Sequence, residues 1–177
     1  MDAVLLGYFP KQLCSPPDRL KVRGIAEIAS VSLCISGGPE GWDEAWNHNE
    51  WGFFANPHVA WSAVPDGGQA DYWLYAYALY PIEYCEGAEE PMEFDGPEVT
   101  AVGSEYEFLG YDVVSRSGGS FFECSPLSCN MLAEEIETNR YCLFSDLSAA
   151  RELALSADED GCEPGPYHVL QVWRKRG

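Results

Sequence analysis

Shifted along itself by 90 residues, the chain matches without gaps from 31–64 onto 121–154. Cys34 falls on Cys124, Glu44 on Glu134, Asn49 on Asn139, Phe54 on Phe144 and Ala60 on Ala150. Trp51 on Tyr141 and Phe53 on Leu143 keep the apolar pattern. Five identities in 34 positions are few, but the local grammar recurs with them. In the first copy Trp51 to Phe54 reads as a short strand. Asn56-Pro57 follows as a helix cap with proline at the first helical position, and the helix runs to about Val64. After a turn at Pro65 to Gly68, Tyr72 to Tyr80 reads as a long strand, apolar on both faces as a central strand should be. In the second copy Tyr141 to Phe144 is the strand and Ser145 or Asp146 the cap. Leu147, Ala150, Leu153 and Ala154 form the buried stripe of a helix ending near Ala157, and Tyr167 to Arg174 is the last strand.

Upstream of each unit a further strand is predicted, Ile25 to Ile35 and Tyr106 to Ser115, each followed by a short helical segment, Pro39 to Trp46 and Pro126 to Ile136. The two sets of elements imply an α+β fold: one compact domain, 1–177, of two tandem pseudo-symmetric β-α-β-type repeats sharing a mixed sheet. Repeat one covers about 24–82, an acidic junction about 83–104, and repeat two about 105–176. At 177 residues one shared core is the economical solution, since half-chains of about 85 residues with such short elements bury too little alone.

Charge is the second constraint. The net charge is −19, from 29 acids against 10 bases. Between Arg23 and Arg116 lie 92 residues with no Lys or Arg and 17 acids. The densest stretch, Glu83, Glu86, Glu89, Glu90, Glu93, Asp95 and Glu98, falls in the aperiodic junction. A field of one sign repels nucleic acid and anionic membrane surfaces and steers cationic partners inward. Solubility alone asks for a net charge of only about 2–8 on a small domain. The longest apolar run, Tyr72 to Ile82, is too short for a membrane helix. With no basic residue before Lys11, the N-terminus is unlike a secretion or transit signal, so a cytoplasmic protein is expected.

The seven cysteines, 14, 34, 85, 124, 129, 142 and 162, are odd in number and irregular in spacing, which favours reduced thiols over a disulfide framework. Cys124-x4-Cys129-x12-Cys142-x19-Cys162 offers one loosely spaced pair where structural zinc normally uses two tight ones, so buried thiols packing as small hydrophobes account for them better, with no metal and no cofactor expected. Asp158 to Gly161 lacks two carboxylates needed for a calcium loop. Ser125 before Pro126 reads as a helix cap, which would lower the pKa of Cys124 at a helix N-terminus, but none of the three histidines recurs between the copies as its base. No catalytic motif is present, which leans against an enzyme.

Two functions are consistent with these features. The first is an acidic cytosolic binding protein that blocks a basic protein partner, such as a nuclease or nucleic-acid-binding protein, in the manner of an immunity protein or a nucleic-acid mimic. Its contact residues would be the acids Glu83 to Glu98, with no direct nucleic acid or membrane contact. The second is a small enzyme or ligand-binding module with a cysteine-lined site where the two repeats join. There the segments around Cys34 and Cys124 would converge, and Cys124, Ser125, Ser128, Cys129, Asn130 and His168 would line it.

Overall fold

The computed structural model describes residues 3–44, 48–80, 102–116, 121–157, 162 and 165–176. Four strands, β1 (Val4–Gln12), β2 (Tyr72–Tyr80), β3 (Tyr106–Ser115) and β4 (Tyr167–Lys175), form one sheet in the order β1-β2-β4-β3. All three pairings are antiparallel. The fold is therefore a small α+β domain, and the expected mixed sheet is replaced by a purely antiparallel one. Among the described residues three helices, α1 (Asp18–Lys21), α2 (Pro57–Ser62) and α3 (Leu147–Ser156), accompany it.

The starts of α2 and α3 follow their sequence signals. The Asn56 side chain accepts from the Val59 amide at 2.9 Å, and the Asp146 side chain from the Ala149 amide at 3.1 Å. Each cap is worth about 1 kcal/mol against alanine. β2 lies inside the sheet, with Leu74 to Ala78 all buried, as its two apolar faces require.

Strand β1 carries none of the expected signals, because Gly7 and Pro10 interrupt its apolar run. Both are tolerated for local reasons. β1 is an edge strand, where a missing proline N–H leaves no ladder partner unmet. Gly7, at φ 142°, sits in a bulge, and a Cβ there would stand 2.5 Å from the Phe54 carbonyl oxygen.

The stretch 25–35 is not a strand. Its backbone hydrogen bonds go elsewhere: Ala26 to the Arg140 carbonyl, Ile28 to Cys14, Ala29 to Tyr141. Ile25, Ile28, Ala29 and Val31 are nonetheless buried, so the apolar pattern reported burial and not sheet pairing. Glu27, within this stretch, pairs with Arg174 at 2.7 Å and accepts from the Tyr75 hydroxyl. The described part of the short helix predicted at 39–46, residues 39–44, is turns, and that predicted at 126–136 is a set of turns with one 3-10 turn at Leu132–Glu134. Met131, at φ 63°, breaks any helical path through the second. Trp51 to Phe54 and Tyr141 to Phe144 form only isolated bridges, at Phe54 and Phe144.

Phe54 and Phe144 each follow an asparagine-centred turn. The Asn49 side chain donates to the Leu6 carbonyl at 2.8 Å and accepts from the amides of Trp51 and Phe53. The Asn139 side chain donates to the Leu109 carbonyl at 2.7 Å and accepts from the amides of Tyr141 and Leu143. Leu6 precedes Gly7, and Leu109 precedes Gly110, which sits at φ 148° in a bulge of β3. In the ladders Gly7 faces Tyr77, Gly110 faces Val172, and Tyr77 faces Val172. One apolar cluster gathers Phe9, Trp51, Phe53, Phe54 and Tyr77; a second gathers Leu20, Ile28, Val113, Leu127, Leu153 and Val169.

Candidate functional site: a thiol cluster on a buried polar network

Burying a charge is costly unless it is paired and fully hydrogen-bonded, so two buried charges in a domain this small call for a reason. Lys11, at the end of β1, is 2 % exposed, and Asp112, in β3, is wholly buried. The Lys11 ammonium donates to three consecutive carbonyls: Ser30 at 2.9 Å, Val31 at 3.1 Å and Ser32 at 2.7 Å. Burial pushes the Lys11 pKa down to about 7, against the pull of Asp112 and of the nearby thiols Cys14, Cys129 and Cys34. Three acceptors use all three hydrogens of the protonated form, so the geometry is that of an ammonium.

Asp112 answers on the same segment. It accepts from the Ser30 hydroxyl at 2.7 Å and the Val31 amide at 2.9 Å, and on its other oxygen from the Ser125 hydroxyl at 2.7 Å and the Val113 amide at 3.0 Å. Burial raises its pKa, while the donors from Ser30, Ser125 and Val31, and the charge of Lys11, oppose the rise. One carboxylate thus ties two distant loops together, 30–32 and the one holding Ser125.

Each loop carries thiols. From the first, Cys34 follows Ser32, whose hydroxyl accepts from the Cys34 amide and donates to the Glu123 carbonyl. From the second, the end of β3 pairs with 123–124: the Ser115 amide donates to the Cys124 carbonyl at 2.8 Å, and the Glu123 amide to the Ser115 carbonyl at 3.0 Å. A tight turn then returns Cys129, its amide donating to the Ser125 carbonyl at 2.7 Å. The sulfurs of Cys34, Cys124 and Cys129 all lie within 4.8 Å of one another. Cys34 and Cys124 are 3.5 Å apart, and Cys129 is 3.3 Å from the Ser32 hydroxyl. Because that hydroxyl has its one proton on Glu123, the Cys129 thiol is the donor.

The pKa of Cys124 is pushed up to about 12, by burial first and then by its thiol neighbours Cys34 and Cys129. The expected lowering at a helix N-terminus is overturned, because no helix starts there and Ser125 spends its hydroxyl on Asp112 instead of capping one. Three crowded thiols disfavour negative charge until a cation joins them. Such a set of sulfur donors suits soft d10 cations and is wrong for calcium or magnesium.

The other sequence-derived site residues lie apart from these sulfurs or do other work. Ser128 is buried, and its hydroxyl has no hydrogen-bond partner among the described residues. Asn130 is exposed at the end of the turn. His168, on β4, packs edge-on against Trp51 and Phe122 and supplies no atom to the thiol cluster; its pKa is lowered to about 4, by burial and then by Arg116. Glu83, Glu86, Glu89, Glu90, Glu93, Asp95 and Glu98 lie outside the described residues, as do Cys85 and Asp158 to Gly161. Lys11, Ser30, Ser32 and Asp112 were missed by sequence reasoning. The available signal was a charge inside each strand-like apolar run, Phe9-Pro10-Lys11 and Tyr111-Asp112-Val113.

Compared with protein-family models, curated proteins and solved structures, the chain matches none of them.

Proposed function

We propose that this chain is a ligand-binding module whose site is the thiol-lined seam where residues 30–34 meet residues 121–130. The observation that carries the reading is the approach of three sulfurs, from segments 90 residues apart in the chain, to within 4.8 Å. The buried network beneath them supports it. A well-packed apolar pair in place of Lys11 and Asp112 would serve stability as well or better. What the charged pair adds is position: it fixes the backbone of 30–32 and the Ser125 turn relative to each other. The test is crosslinking of the reduced protein by dibromobimane, which becomes fluorescent on joining two neighbouring thiols. The expected product is a 1:1 adduct joining two of Cys34, Cys124 and Cys129, which replacing any two of the three with serine abolishes. Adducts mapping instead to Cys14, Cys142 or Cys162 would overturn the reading.

A second reading rests on charge: an acidic protein that occludes a basic protein partner. The absence of any Lys or Arg across 92 residues that hold 17 acids favours it. One basic protein retained from the source lysate, released at moderate salt and displaced by DNA or RNA, is the expected result. Retention unaffected by replacing the seven acids from Glu83 to Glu98 with the neutral amides would refute it.

The chain is on our reading two copies of one β-α-β-type unit, with the first extended from its expected start near residue 24 back to β1 and the second running from β3 to β4. Support comes from the like contacts of Asn49 and Asn139 and the like bulges at Gly7 and Gly110. The sheet order, in which β1-β2 and β3-β4 would exchange about the Tyr77–Val172 pair, agrees with it.

A further inference from the structure

We propose that Cys34, Cys124 and Cys129 bind one thiophilic d10 cation, Zn2+ or Cu+, as a tri-thiolate with an open coordination position toward solvent. The proposal rests on the thiol-lined reading above and names its ligand. Among the described residues no histidine or carboxylate joins the three sulfurs, so the donor set is all sulfur, the set that selects soft cations. Spacing agrees. Metal–sulfur bonds of about 2.3 Å place tetrahedral sulfurs about 3.8 Å apart. The Cys34 to Cys124 separation is 3.5 Å and all three sulfurs lie within 4.8 Å of one another, so closure asks for shifts of at most about 1 Å.

Accessibility agrees as well. Cys34 is exposed and the other two are half-buried, which leaves one side of the triad open for entry and for a water or an exogenous ligand. Charge is the third argument. Three thiolates around Zn2+ leave one negative charge, and around Cu+ two; Lys11, which interacts electrostatically with Cys34 and Cys129, offsets part of it. On binding, three S–H bonds lose their protons to solvent and three metal–sulfur bonds form, with no oxidant or reductant involved. The Cys129 thiol proton now given to Ser32 is one of the three.

The test uses the full chain, reduced and metal-free, titrated with Zn2+ in air and with Cu+ under anaerobic conditions, with Ca2+ as control. The expected result is one equivalent bound per chain, three protons released into weak buffer, and no response to Ca2+. Cys34→Ser should weaken binding more than about 100-fold; that site is exposed, so the fold should survive, as far-UV circular dichroism will check. Cys162→Ser should bind as the parent chain does. Binding of Zn2+ alone or of Cu+ alone supports the proposal and identifies the cation. If neither ion binds the reduced chain, or if Cys34→Ser binds as well as the parent, the proposal falls. A dibromobimane adduct that still joins Cys34 and Cys124 would then leave the thiol-lined reading standing, whereas loss of both results would remove both.

Discussion

Replacing Asp112 with asparagine keeps the shape of the buried side chain and removes its charge. Each carboxylate oxygen now takes two donors: Ser30 and Val31 on one, Ser125 and Val113 on the other. In either orientation the amide NH2 faces one hydroxyl and one backbone N–H. The hydroxyl can rotate to accept, but the backbone N–H cannot, and an unmet buried donor costs about 1–3 kcal/mol. Lys11 also loses its buried counter-charge, which brings the expected cost to about 3–5 kcal/mol. Lys11→Met orphans three carbonyls and should cost a similar amount. The double variant leaves neither charge uncompensated, so its cost should fall below the sum of the two by roughly 1–3 kcal/mol. Urea unfolding, followed by the fluorescence of the six tryptophans under reducing conditions, measures all three variants. A cost below about 1 kcal/mol for Asp112→Asn, or singles that add to within about 0.5 kcal/mol of the double, would refute the account of a coupled network.

Asn49→Ala and Asn139→Ala each delete one donor and two accepted bonds, so each should cost roughly 2–3 kcal/mol by the same unfolding assay; a large cost at one and none at the other would argue against two copies of one unit. His168 takes up a proton in the unfolded chain near pH 6.5 but in the folded chain only near pH 4. Stability should therefore drain away as pH falls from about 6.5 to 4 and level off below, a loss of about 3 kcal/mol from this group. His168→Gln should flatten that part of the pH profile relative to the parent chain, and an unchanged profile would show that the ring is not held neutral.

Much of the secondary structure was legible where local signals and tertiary demands agree. Tyr72 to Tyr80 alternates large apolar groups on both faces, and it pairs on both edges inside the sheet. Asn56-Pro57 and Asp146 start helices because their side chains meet amides three residues on, a contact set by local geometry. β1 was illegible for a matching reason. Glycine and proline are strand breakers in a local reading, and only the edge position and the Phe54 carbonyl pressed against Gly7 make them right there. In 25–35 the apolar residues are truly buried, yet its polar backbone is met by a lysine, an aspartate and a loop that are remote in sequence.

The site divides along the same line. Read along the chain alone, two stretches 90 residues apart share a pattern, Cys34 and Cys124 occupy like places in it, and the net charge is strongly negative. Spacing along the chain puts Cys129 near Cys124 but could not say that its sulfur would close on those of Cys34 and Cys124, or that Cys142 and Cys162 would stay apart. That was decided by a turn closing on Ser125 and by one carboxylate reaching both loops. A ligand set is a matter of distances through space, and here those distances are held by buried charges whose partners the linear order does not reveal.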